Sequence, residues 1–351
     1  MANMTSAVGK ERPYQPSWID RFNSWVEQRP IHPRNFHILF GIVLIGVQLL
    51  FLGLAGGLGA VELLPVILFN SLFTPFLLGL IYYLDSQAVA ALNSMRPVLD
   101  TTEAEFKQYA YRLANMPALQ PLAAGLAVLV LVILMEQFWV VPVRYAALEQ
   151  MPVFAVVFHV VDKSSAFLFG AFIYHTIRQL RLVNAINSNH IQVNLYNLGP
   201  LQAFSRLTAS TAVGLVVGVY GWILINPELL ADPVIIAIAA IITILALAVF
   251  AWPLYGAHQL MELEKARMLR EIDLHFEAVF AKFNQRLQDD DYSAIDRLDG
   301  TIASLEIQHR RISAIPTWPW RPETLRSVFT TILLPLILTI VQYFTIQALG
   351  R

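Results

Sequence analysis

His159, Asp162 and Lys163 stand at spacings of three and four, so one helix face would carry an imidazole, a carboxylate and an ammonium, with Ser164 and Ser165 directly after. Glu136, beside Gln137, supplies a second carboxylate. Such a set could relay protons, hold a cation or orient a small polar solute. A second pattern is Thr331, Pro335, Thr339 and Gln342, which recur at helical spacing and give one helix a polar stripe interrupted by a proline. A stripe of this kind can line a pore or hydrogen-bond neighbouring helices.

The surroundings of these residues decide what their charges cost. Of 351 residues, 56% are hydrophobic and only 14% charged, far from the balance of a soluble domain. Charged residues are nearly absent from several runs of about twenty residues, the length that crosses a hydrocarbon core. The expected fold class is therefore all-α, a multi-pass protein of the cell membrane with about seven spans whose main solvent is the lipid bilayer. With no cysteine, disulfides, thiolate metal sites and cysteine nucleophiles are excluded. A formal net charge of -1 gives no global pull toward nucleic acid, which is not expected as a partner. Residues 1–36 contain no hydrophobic signal-peptide core, so the first span is expected to direct insertion.

Apolar runs bounded by charges or prolines place the spans at Phe36–Leu54, Leu63–Leu84, Leu122–Val141, Val153–Ile177, Thr208–Ile225, Pro233–Leu254 and Leu325–Leu349. Of the 24 Lys and Arg, all but Arg144, Lys163 and Arg351 then fall on one side, which predicts an N-terminus in the cytoplasm and a C-terminus outside. Glu136, His159, Asp162 and Lys163 come together in the outer half of the bundle, lining a water-accessible cavity. The alternatives are an ion pair that only orients two helices, or a fourth span that starts later and leaves Lys163 among headgroups. Four segments follow: a cytoplasmic N-terminal piece (1–35), a six-span bundle (36–254), a cytoplasmic helical hairpin with its linker (255–322) and the seventh span (323–351).

Several pieces read as helices outside the bilayer. Ser17–Gln28 has Ser17 as cap and Trp18, Ile19, Phe22, Trp25 and Val26 on one face, with Asp20, Arg21 and Glu27 facing away. It lies either at the membrane interface or on the protein's own cytoplasmic parts. Thr102–Glu105 has capping-box spacing ahead of Phe106, Tyr109, Ala110 and Leu113. From Leu269, apolar residues run Ile272, Phe276, Val279, Phe283, Leu287, and resume after Asp289–Asp291 as Ile295, Leu298, Ile302, Leu305, His309, Ile312. This coiled-coil-like spacing predicts an antiparallel hairpin whose first arm continues the sixth span. Pro316–Pro322 then forms a proline-punctuated linker with Trp318 and Trp320, and Pro322 can start the last helix.

Other signals lead nowhere. His258 and Glu262 are spaced to share a metal, but no third ligand is identifiable; Asp289–Asp291 lacks the ligand alternation of a calcium loop. Gly53, Gly56, Gly57 and Gly59 follow no strand and form no phosphate loop. The His190–Leu198 alternation has no functional account. Neither a metal nor a cofactor is expected, and without a paired carboxylate set, nucleophile motif or metal triad, neither is an enzyme.

In topology the chain resembles the insect olfactory and gustatory receptor channels. The resemblance covers span number and N-in orientation over most of the chain, and Gln342 and Tyr343 stand where that family's last-helix motif ends in Gln and Phe. It implies a homo-oligomer with cytoplasmic helical anchoring and a last helix lining a shared pore. Pro335 and Leu336 replace the threonine and tyrosine that open the motif, so tetramer formation and ligand gating do not carry over. The expected function is an ion channel or small-solute conduit with the hairpin as anchor or gate. The alternative is a membrane sensor or scaffold whose hairpin binds a cytoplasmic protein partner.

Overall fold

The computed structural model describes residues 13–57, 59–138, 143–189, 195–196, 198–199, 202–226, 233–288, 295–320 and 322–349. The Asp289–Asp291 turn, Arg321 and most of the His190–Leu198 alternation lie outside the described residues. Ten α-helices follow in order: α1 Trp18–Glu27, α2 Pro33–Leu54, α3 Leu64–Met95, α4 Glu103–Ala114, α5 Gln120–Phe138, α6 Pro152–Asn189, α7 Ala203–Ile225, α8 Pro233–Gln288, α9 Ile295–Ser313 and α10 Pro322–Leu349. Among the described residues no strand forms.

Seven helices, α2, α3, α5, α6, α7, α8 and α10, are long and apolar enough to cross a membrane, and the protein is a multi-pass membrane protein. Their outward faces keep Ile42, Leu50, Val130, Val160, Ile241 and Ile244 exposed, as a lipid solvent allows. Their inward faces meet through small residues and a few hydrogen bonds. A Cβ placed on Gly170 of α6 would lie 2.5 Å from Ala124 O and 2.9 Å from Gly125 Cα, so α5 and α6 touch backbone to backbone. Gln48 Nε2 donates to Ser71 Oγ at 2.6 Å, tying α2 to α3; the hydroxyls of Thr74 and Ser165, 2.8 Å apart, tie α3 to α6; those of Tyr220 and Thr243, 2.6 Å apart, tie α7 to α8.

The short helices gather at the end of the bundle where the chain begins, called here the α1 face. α4 opens on the expected capping box: Glu105 N–H donates to Thr102 Oγ1 at 3.3 Å and Thr102 N–H to Glu105 Oε2 at 2.9 Å. Phe106 and Leu113 are buried, as the stripe predicts. α1 packs on the protein itself, with Ile19 and Val26 fully covered, while Trp25 stays half exposed under the guanidinium of Arg29.

Asp20 corrects the sequence reading, which turned it away from the apolar face. It is only 5% exposed, because its carboxylate accepts the N–H of Ser17 at 2.9 Å and that of Met116 at 2.8 Å. One side chain thus caps α1 and fastens it to the segment entering α5, and burial raises its carboxyl pKa above the ordinary value.

α8 runs unbroken for 56 residues through Pro253, continuing past its apolar half as the sequence predicts. α9 lies against its distal half, with Ile272, Leu305 and Ile312 buried between them and Phe276 and Val279 packed alongside. His309 remains half exposed, Nε2 3.8 Å from Asp273 Oδ1. Lys265 Nζ donates to Ser313 O at 2.6 Å and Ile315 O at 2.8 Å, placing a cation at the end of α9 where its dipole is negative.

The linker into α10 is clamped on α8 by a column of rings. Phe250 stacks on Trp320 with centroids 5.2 Å apart, Trp320 on Trp318 at 4.3 Å, and Trp318 on His258 at 3.8 Å. His258 Nδ1 also lies 3.0 Å from Thr317 O, and its Nε2 3.5 Å from Glu262 Oε1, so this imidazole serves packing between α8 and the linker.

Candidate functional site

Asp162 and Lys163 lie ten and eleven residues into α6, and Glu136 lies two residues before the end of α5 at Phe138, so the cluster sits inside the apolar stretch of both helices, toward the end of the bundle away from the α1 face. At that depth a lone charge is expensive, and the fold answers with partners on three helices. Lys163 Nζ donates to both carboxylate oxygens of Glu136 on α5, each at 2.5 Å, and to Asp162 Oδ2 at 2.8 Å. Asp162 Oδ1 accepts from Asn70 Nδ2 of α3 at 2.9 Å. Ser165 Oγ donates to Asn70 O at 3.3 Å, holding that amide's turn of α3 in place. Two carboxylates share one ammonium, so with all three ionised the cluster carries a net negative charge.

Glu136 and Asp162 of the cluster belong to the polar wall of a cavity of about 240 Å³ bordered by α3, α5, α6, α7 and α8. Asn70, Glu136, Asp162 and Ser165 face it from one side, and Phe69, Phe73, Phe169 and Trp222 from others, with Val128, Val132, Met135 and Ile235 among its remaining aliphatic lining. Gly218 keeps part of this space open, since a Cβ there would approach Phe169 Cε2 to 2.9 Å and Phe73 Cζ to 3.0 Å. α5 packs on α6 and makes no extensive contact with α7 or α8 among the described residues. The cavity therefore occupies a cleft between α5 and the α7–α8 pair. An apolar chamber with one anionic, hydrogen-bonding wall suits a small amphiphile or a cation that keeps part of its water.

Of the residues singled out in the sequence, the structure brings together Glu136, Asp162 and Lys163. His159 lies one turn nearer the start of α6, edge-on to Phe158, and does not line the cavity. The second pattern sits elsewhere. α10 packs on α7 and α8, where Thr339 is buried, Thr331 and Pro335 are half covered, and Gln342 is exposed. None of the four lines this cavity.

A further polar cluster at the α1 face escaped sequence reasoning. His175 Nε2 lies 2.8 Å from Asp85 Oδ1, and Gln179 Nε2 donates to the same oxygen at 3.2 Å and to Leu113 O at 3.1 Å. Arg178 donates to Arg112 O at 2.6 Å and to the Tyr14 hydroxyl, which donates in turn to Asn115 O at 2.8 Å. Burial pushes the Tyr14 phenol up to about 12, so it stays a donor at any physiological pH. The only signal was the i, i+4 pair of His175 and Gln179, together with Asp85 just past the apolar run. The network locks α4 and the N-terminal segment onto α3 and α6. Compared with known proteins, the chain matches no family model, no curated protein and no solved structure, so the receptor-channel resemblance rests on span number and the last-helix residues alone.

Proposed function

We propose that this chain is a cell-membrane protein with its N-terminus in the cytoplasm that passes an ion or small solute, and that the Glu136–Lys163–Asp162 cluster is where the solute is held. The observation that carries this reading is the placement of two carboxylates, Glu136 and Asp162, on the wall of a 240 Å³ cavity inside the bundle, both bonded to Lys163. Intramembrane charges that line a cavity are commonly functional. Orientation follows from the positive-inside rule, since the α1 face carries Arg96, Arg112, Arg178, Lys265 and Arg267. The α8–α9 hairpin is then cytoplasmic, an anchor or gate acting on α10 through the Trp318–Trp320 column. α10 presents exposed Gln342 and Leu338 to a second copy, and in a homo-oligomer Gln342 would be the residue of the stripe that meets the other copy.

The test is ion and solute flux into liposomes holding the purified full chain, comparing wild type with Asp162→Asn and Gln342→Leu. Flux altered by Asp162→Asn assigns the cavity to the path; flux altered by Gln342→Leu assigns α10. No flux across several ions and pH values would overturn the conduit.

A second reading rests on Leu263, Leu274 and Phe280, which α8 leaves exposed beyond its bilayer half. They would give a sensor or scaffold an apolar surface for a cytoplasmic protein partner. That reading predicts no flux and a partner whose binding is lost in Phe280→Glu.

A further inference from the structure

A groove of about 760 Å³ runs between α2 and α3 at the α1 face, well away from the cavity described above. Its upper rim holds His32, Arg34 and Tyr82, and it descends along Ile38, Leu72 and Phe76, which the bundle leaves exposed toward lipid. His37 lies in its wall, only 8% exposed, with neither ring nitrogen hydrogen-bonded. A buried imidazole without a partner is costly, and a small shift of this ring toward a donor or acceptor arriving in the groove would remove the cost.

Positive charge predominates at the rim, where Arg34 and Arg29 stand against the carboxylate of Glu27. Arg34 and His37 share a face of the first turns of α2, where unpaired N–H groups add partial positive charge, and Nδ1 of His32 already accepts from Arg34 N–H at 3.2 Å, leaving Nε2 available as a donor. Of the nearest carboxylates, Glu27 accepts from Tyr82 and is outweighed by the two guanidinium groups, and Asp85 faces His175 away from the groove. Trp25 and Arg29 stand at the same level, as side chains of a headgroup layer do.

We propose that this groove binds one anionic phospholipid of the leaflet at the α1 face, its phosphate held by Arg34, His32 and His37 and one acyl chain lying along Ile38, Leu72 and Phe76. The polar end alone would suit any phosphate. The apolar end, open to the bilayer and continuous with the rim, selects a lipid.

Native mass spectrometry of the detergent-purified full chain, offered equimolar phosphatidylglycerol and phosphatidylcholine, tests this. Wild type should retain phosphatidylglycerol preferentially. Arg34→Gln should cut that preference about fivefold, the worth of one basic residue at an anionic membrane surface. Ile38→Trp, a change on the more exposed lipid-facing side of the groove, should fill it and remove the bound lipid, and it carries the test should Arg34→Gln fail to fold. Equal retention of both lipids by wild type, or a preference unchanged in the variants, would overturn the proposal. Displacement of the lipid by millimolar inorganic phosphate would also overturn it, making the rim a free-anion site.

Discussion

His175 Nε2 and Asp85 Oδ1 meet at 2.8 Å across the α3–α6 interface, with the imidazole 1% exposed, and Gln179 closes on the same carboxylate oxygen. Ninety residues apart in sequence, the two side chains fasten the bundle to its covering helices.

Asp85→Ala would strip the acceptor from both donors. The expected loss is about 2–4 kcal/mol, one to two for each buried donor left bare, read as a lower unfolding midpoint in detergent. Asp85→Asn keeps a carbonyl oxygen in place and should cost clearly less. Equal losses in the two variants would show that packing, not the shared acceptor, holds this corner.

At the Glu136–Lys163–Asp162 cluster the order of stabilities is the test. Lys163→Met alone leaves Glu136 and Asp162 facing each other without their cation, and a loss of about 3–5 kcal/mol is expected. Adding Glu136→Gln and Asp162→Asn to that variant should recover most of the loss. A triple variant no more stable than the single would mean that the charges are already hydrated from the cavity.

Asp20 gives a pH dependence whose sign follows from burial. Its folded carboxyl pKa lies above the unfolded value, so the folded state binds its proton more readily. The penalty of keeping it ionised is full above the folded pKa and is relieved as pH falls through that pKa toward the unfolded one. Thermal melts of wild type and Asp20→Asn between pH 4 and pH 8 should converge at the alkaline plateau slope and differ on acidification, where only wild type gains stability from this site. Parallel curves throughout would refute the assignment to Asp20.

Trp318→Ala should break the ring column between His258 and Trp320 and loosen the linker from α8. Because the chain contains no cysteine, a pair introduced on α8 and α10 reports their separation without background. Broader spin-label distances in Trp318→Ala than in wild type are expected, with about 3 kcal/mol or more of stability lost. An unchanged distribution would place the coupling elsewhere.

How much of this was legible in the sequence depends on how local the cause is. Span number followed from hydrophobic length, and the Thr102 capping box from a three-residue spacing. Glu136, Asp162 and Lys163 were legible because charges in apolar runs stand out. Asn70 was not, since nothing near it in the chain reveals that Asp162, 92 residues on, will need its amide. Asp20 was misread for the same reason: a helical wheel knows its neighbours on α1, whereas its burial is decided by the N–H of Met116. His175 sat inside a run read as membrane, and Asp85 just beyond another, so neither seemed to belong to a site.

The length of α8 has a mechanical meaning. From Pro253, whose ring removes the N–H that would bond Val249 and whose carbonyl accepts from Asn187 Nδ2 at 3.1 Å, the helix continues for 35 residues, a lever arm of about 50 Å. On the other side of that pivot, Ile235 and Ile238 form part of the cavity wall. A tilt of about 5° at the proline, within the bending that such sites allow, would carry the far tip about 4 Å. A displacement of about an ångström or less at the cavity wall would thus be enlarged at the far end of the hairpin.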